Sequence, residues 1–203
     1  MKPIFSFTTN HWSLRGLTLI AILATAACTN TRTQHAPPRQ LDAQTLMAVT
    51  IWNASGKLGI KIDGQSKSVN FDWANNADTY AIHLNGPLGV GAATLQKQGA
   101  NVTLATKNAI TSAHSAEDLL QQNLGWSLPV SELVYWIKGL PSPVSAIDTQ
   151  SKFKSGELSA LKQQGWQLVY SRYETHHGFR LPGKIVATHD RLKLTLVIKN
   201  WRL

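Results

Sequence analysis

From about residue 54 this chain alternates apolar and polar residues, and a strict two-residue period can bury one face of a strand but not of a helix. Leu58, Ile60 and Ile62 share a face, as do Val69, Phe71 and Trp73, then Tyr80, Ile82 and Leu84. Ala93 with Leu95 and Val102 with Leu104 continue the pattern. Turn-forming stretches separate the runs: Asp63-Gly64, Asn75-Asn76-Ala77-Asp78 and Gln98-Gly99-Ala100-Asn101. The expected result is an antiparallel meander with one apolar face.

The period then changes. Ser115 followed by Glu117 and Asp118 is a helix start, and Leu119, Leu120 and Leu124 fall at helical spacing before Gly125. Pro129, Leu133, Trp136 and Ile137 form a second helical stripe, closed by Gly139 and Pro141. Strand patterning resumes in Leu158–Leu161, Trp166-Leu168-Tyr170, Ile185–Thr188 and Leu192-Leu194-Leu196-Ile198. The fold class is mainly β with helices (α+β). A single antiparallel sheet of about ten strands must curl, and the two helices are placed to cover its concave side.

The first 27 residues are of another kind. Lys2 and Arg15 precede the apolar run Leu17–Ala27, which ends in small residues directly before Cys28. The run is too short to span a membrane, which takes about 20 residues. A charged start, a short apolar stretch and small residues at a cut site make a secretory signal. A cysteine at the cut reads as a bacterial lipoprotein signal whose thiol is lipidated. Lipoprotein signals resembling this one usually have Leu where this chain has Thr25. Thr29 follows the cysteine where Asp would resemble an inner-membrane retention signal, so the outer membrane is the expected site. The expected division is residues 1–27 as signal peptide, 28–45 as lipid-anchored tether, and 46–203 as one folded domain. The tether is polar and contains Pro37-Pro38.

Cys28 is the single cysteine, so no internal disulfide can form. The formal charge is +9, and the chain stays basic after Lys2 and Arg15 leave with the signal. Such a field favours an acidic protein or an anionic lipid surface. The cations are scattered singly and the destination is extracytoplasmic, so nucleic acid is not an expected partner. Enzyme signatures are missing: no Gly-x-Ser-x-Gly elbow, no His-Glu-x-x-His and no phosphate-binding glycine loop. His176-His177 reads as a surface turn, and Tyr173-Glu174 beside it lacks a nucleophile. No catalytic residue, metal ligand or cofactor is expected.

Several segments carry a family likeness in their order. They are Leu84–Gly89, Leu124–Val130, Tyr135–Pro141, Gly165–Tyr170, Leu181–Lys184 and Arg191–Trp201. Behind a lipoprotein signal, this set resembles the LolB family of outer-membrane lipoprotein receptors. The resemblance implies a half-barrel lidded by helices around an apolar cavity. It further implies a monomeric receptor that takes acylated lipoproteins from the periplasmic carrier LolA and inserts them into the outer membrane without ATP.

Exposing the cargo's acyl chains, at ~0.8 kcal/mol per methylene and on the order of 45 methylenes, costs tens of kcal/mol. The receptor therefore needs a near-continuous apolar path with broad walls. The candidate walls are Leu58, Ile60, Phe71, Trp73, Tyr80, Ile82 and Leu84 on the sheet and Trp126, Leu133, Trp136 and Ile137 on the lid. Tyr80, Trp126 and Trp136 add a polar atom for the cargo's glyceryl or ester groups. Pro87-Leu88-Gly89-Val90 is the candidate membrane-insertion loop, since Leu88 and Val90 are apolar where a turn should be polar. In the family a leucine at the matching position is associated with membrane targeting. Two other readings fit the same residues: a lipid-anchored carrier of phospholipid or another apolar ligand, and a structural outer-membrane lipoprotein with a filled core.

Overall fold

The computed structural model describes residues 42–86 and 91–203. Cys28, the signal, most of the expected tether and the loop residues Pro87, Leu88, Gly89 and Val90 lie outside the described residues. Helix α1 (Ala43–Met47) comes first, capped by the Asp42 carboxylate, which accepts from the Thr45 amide at 2.7 Å. It straddles the expected boundary at residue 45, and its Leu46 is buried.

Eleven strands make one antiparallel sheet. β1 (Ile51–Ile62), β2 (Gln65–Asn76), β3 (Thr79–Asn85), β4 (Ala93–Gln98), β5 (Asn101–Thr106) and β6 (Ile110–Ala113) run outward from the centre to one edge. The chain then crosses through helices α2 (Ala116–Leu124) and α3 (Val130–Trp136) to the opposite edge. From there β7 (Ile147–Lys152), β8 (Leu158–Gln163), β9 (Trp166–His176), β10 (Phe179–His189) and β11 (Leu192–Arg202) return to the centre, where β11 pairs with β1.

The expected faces are the observed ones. Trp52, Ala54, Phe71, Trp73, Leu95, Val102 and Leu104 point inward and are buried, as are Leu168, Tyr170, Ile185, Leu194 and Leu196. The two helices also form as the sequence dictates. The Ser115 hydroxyl accepts from the Asp118 amide at 3.0 Å, and Gly125 closes α2 in the left-handed region at φ 75°.

At the central β1–β11 pairing the register shifts by one residue. Ser55 faces Asn200 while Gly56 faces Ile198, leaving Lys199 as a bulge. The extra residue resets the alternation of β11: Ile198 is buried, Lys199 and Asn200 are exposed, and Trp201 is buried again. Gly56 is required there, because a Cβ at that position would fall onto the carbonyl oxygen of Val197. Gly56→Ala should therefore cost about 1–3 kcal/mol as an overpacking change at backbone. Urea unfolding would show it, and an unchanged midpoint would contradict this account of the bulge.

Candidate functional site

The inner face of the sheet falls into two parts. Over the β8–β11 half, and where β1 and β2 meet it, the apolar side chains are closed off: Leu161, Leu168, Leu181, Ile185 and Leu194 are each no more than 2% exposed. Towards the β1–β2 turn and the end of β3, the inward residues are only half-buried. These are Leu58, Ile60 and Ile62 on β1, Val69 on β2, Ile82 and Leu84 on β3, and Ala93 on β4. The register makes them neighbours: Leu58 faces Val69, Leu84 faces Ala93, and Ile82 lies beside Trp73. On the helical segment Trp126 and Leu128, between α2 and α3, are half-buried too, and Leu124 is exposed.

The expected cavity residues therefore separate. Leu58, Ile60, Ile82, Leu84, Tyr80 and Trp126 keep exposed surface. Phe71, Trp73, Leu133, Trp136 and Ile137 are packed into the core. Trp136 departs from its expected role as a polar contact for cargo: its indole N–H donates to Gln163 Oε1 at 2.8 Å. An enclosed apolar cavity is not shown among the described residues. A recess of about 410 Å³ exists elsewhere, away from the half-buried strip, where Leu46, Leu140 and Leu158 line it together with the charged Lys138, Glu157 and Arg180.

Burial and the nearby Glu117 carboxylate push the Tyr80 phenol well above its ordinary value, so it remains a hydroxyl donor. Its ring meets Trp73 edge-on at 6.3 Å. Trp73 also packs at 5.2 Å on Trp52, which packs at 5.8 Å on Trp201. The indole N–H groups of Trp52, Trp73 and Trp201 are all buried with no hydrogen-bond partner among the described residues. Between Trp73 and Trp201 sits the small Ala54, and Gly56 follows it on the inner face. Sequence reasoning named Trp73 alone of these three. Trp52 lies two residues before Ala54 on the same face, at the edge of the alternation, and Trp201 is hidden by the bulge.

The helices are held firmly at one end. Gln163, fully buried, meets all its bonding capacity: its carbonyl oxygen accepts from Trp136 Nε1 and the Ser142 amide, and its NH2 donates to the carbonyls of Ser142 and Ser145. Lys138 donates from Nζ to the carbonyls of Val49 at 2.9 Å and Leu46 at 3.4 Å, tying α1 and the chain after it to the end of α3. Gly139, at φ +76°, lies where a Cβ would strike the Tyr173 hydroxyl and crowd Pro182. The ordered glycine and proline segments thus meet in space as a packing joint. At the other end the coupling is lighter. Glu117 of α2 accepts from the amide and hydroxyl of Ser131 in α3, and Asn123 reaches Thr111 at 3.4 Å.

The Tyr173 hydroxyl donates to the Leu158 carbonyl, so it too is a structural group. Glu174 and His176 lie together at the end of β9, with His177 in the turn that follows. Glu157, bonded to Arg180 and to Ser155, is held below its ordinary carboxylate value by those hydrogen bonds against the opposing effect of burial.

A curved open sheet with two helices against its apolar face, its inward residues half-buried at one end, defines the class of fold. The comparisons narrow it. The family model described as outer membrane lipoprotein LolB matches residues 50–201. The outer-membrane lipoprotein LolB of Cellvibrio japonicus is 40% identical over 198 residues, covering 93% of this chain and 98% of the relative. That of Pseudomonas putida strain GB-1 is 39% identical over 194 residues, covering 91% and 93%. A solved LolA superfamily protein from Nitrosomonas europaea gives only a distant likeness, with TM-score 0.46 at 7% identity over 75% of this chain and 86% of that one. This chain belongs to the LolB family of outer-membrane lipoproteins. It is an outer-membrane, lipid-anchored protein of lipoprotein localisation. No described helix is long and apolar enough to cross a membrane.

Burial lowers the Lys138 ammonium to about 8 from 10.5. Between those values the unfolded chain holds the proton that the folded chain has released, so stability rises with pH across that window. Below about 8 both states are charged and the desolvation cost is fully present. Lys138→Met should remove this rise, on the order of 2 kcal/mol. Chemical unfolding at pH 7.5 and 10 checks it; an identical pH slope in wild type and variant would contradict the assignment.

Proposed function

We propose that this protein accepts acylated lipoproteins from the soluble carrier LolA and passes them into the outer membrane, acting as a monomer and without nucleotide or catalysis. The single observation that carries this is the half-exposed apolar strip Leu58-Ile60-Ile62-Val69-Ile82-Leu84-Ala93, bordered on β2 by Lys67 and Gln65, in a domain whose β8–β11 half is closed. A protein that needed only a filled core would have covered it, because exposed contiguous apolar surface is costly and marks binding.

The path inward follows β1. From the half-exposed Ile62, Ile60 and Leu58 it runs to Gly56 and Ala54, the two smallest inward residues of that strand. Phe71, Trp73, Leu133, Trp136 and Ile137, packed in this structure, would form deeper wall when chains enter. Trp126 and Leu128 lie on the link between α2 and α3, away from the Gln163 and Lys138 joints and held through Ser127 and Ser131 to Glu117. The unmet N–H groups of Trp52, Trp73 and Trp201 offer donors to ester or amide carbonyls of the cargo, and meeting a buried unpaired donor is favourable. Directionality then rests on modest affinity steps between carrier, receptor and membrane.

Release is assigned to Pro87-Leu88-Gly89-Val90, the sequence that follows β3, with Leu88 and Val90 as the apolar residues that would enter the bilayer. The anchor at Cys28 keeps the domain at its target and takes no part in transfer. Carrier loaded with a radiolabelled lipoprotein is mixed with this protein, first without and then with liposomes. Wild type should take up cargo in the first step and deliver it in the second. Ile60→Glu should lower uptake about tenfold, because it sets a charge on the apolar path. Leu88→Glu should leave uptake intact and abolish delivery. Uptake by neither wild type nor variant, from a carrier shown competent toward a known receptor, would favour the carrier of phospholipid or other apolar ligand.

A further inference from the structure

The outward face of the sheet lies opposite the half-exposed strip, and its charge is one-sided. The register lays out its rows. Lys61 stands directly opposite Lys193, and the row continues through Thr188 and Gln167 to Lys162, with Ser66 on the other flank. Lys57 faces Val197, with Lys184 and Ser171 beyond. Arg202 faces Asn53, and Lys199 is exposed at the bulge. Asp72, opposite Ser55, is the one acid in these rows. None of these cations enters an ion pair among the described residues.

Two lysines placed directly opposite on neighbouring strands repel and weaken the sheet. The fold gains nothing from Lys61 facing Lys193, and the acids of the adjoining turns, Asp63 and Asp190, lie against Arg191 and His189 rather than offset it. An anionic surface laid against this face would.

We propose that the outward face of β1, β11, β10, β9 and β8 rests on anionic lipid headgroups of the membrane to which the chain is anchored. The residue types favour lipid over a protein partner. The cations are lysines but for Arg202, compact charges suited to a diffuse negative field, whereas shape-specific recognition draws on arginine forks and aromatic anchors. Between them lie Ser66, Gly59, Thr195, Thr188, Gln167 and Ser171, which are small or polar, with Val186, Val197 and the exposed Val169 as the apolar residues of the same rows. In this posture the half-open apolar strip on the inner face points away from the lipid, available to an incoming carrier.

The lipid-anchored full chain is placed in phosphatidylcholine vesicles, with or without phosphatidylglycerol, and the acetylation rate of each lysine is read by mass spectrometry. On anionic vesicles Lys57, Lys61, Lys184 and Lys193 should react about fivefold more slowly and recover in high salt. Lys107 and Lys154, exposed elsewhere, should not change. Equal rates on both vesicles overturn the proposal. So does protection on neutral vesicles that arises only when an acidic soluble carrier is added, which would assign the face to protein.

Lys61→Glu separates docking from folding. It places a carboxylate opposite Lys193, so Tm should rise while the membrane protection falls. A fall in both contradicts the proposal. Cargo transfer is read separately in the same vesicles, so failure of the transfer reading leaves this result interpretable.

Discussion

The pairing of the first strand with the last is what the rest of the molecule depends on. Paired residues of β1 and β11 lie between 130 (Ile62 with Leu192) and 149 (Asn53 with Arg202) positions apart in sequence, and closing that separation costs loop entropy that grows only slowly with length. Their union turns two meanders into one sheet and leaves only β6 and β7 as edges. It also sets the floor of the inner face, because the bulge at Lys199 brings Trp201 inward beside Ala54 and Gly56. Without Gly56 the strands could not approach at that point.

The lid follows from the same topology. The chain leaves the sheet at one edge and must re-enter at the other, so α2 and α3 have to travel across. The inner face, being apolar, is the side on which their buried residues Leu119, Leu120, Val130, Leu133 and Trp136 can be covered. Gln163 and Lys138 then fix the far end of the crossing. The lighter bonding near α2 and the half-open strip at the end of β1 and β3 are the remaining freedom in an otherwise close-packed core. Ligand handling is assigned to that freedom.

Much of this was legible in the chain. Leu58-Ile60-Ile62 and Val69-Phe71-Trp73 announced their face by alternation alone, and Ser115 and Gly125 announced the limits of α2. Other features were hidden for identifiable reasons. β7 is exposed at every position, so an edge strand of this kind has no apolar period to display. α1 is a single short turn stabilised by Asp42 and Lys138 rather than by its own pattern. Gln163 sits on the inward parity of Leu161, and a polar residue at such a position was the available sign of a buried hydrogen-bonding joint. Which apolar residues would be core and which half-exposed could not be read from period, since Phe71 and Leu84, paired across two strands, look alike in sequence and differ in burial. The ordered glycine and proline segments pointed to the LolB family, and the comparisons agree, yet Gly139, Tyr173 and Pro182 owe their proximity to packing.

Acyl chains are assigned to the half-exposed strip. Photo-crosslinking tests that assignment most directly. A light-activated residue is placed in turn at Ile60, Ile82 and Leu84, and at the outward positions Thr195 and Gln96, and each protein is exposed to carrier loaded with an acyl-labelled lipoprotein. The account predicts acyl adducts at the three strip positions and none at the two outward ones. Adducts spread equally over both faces, or absent from the strip while cargo still moves, would contradict it.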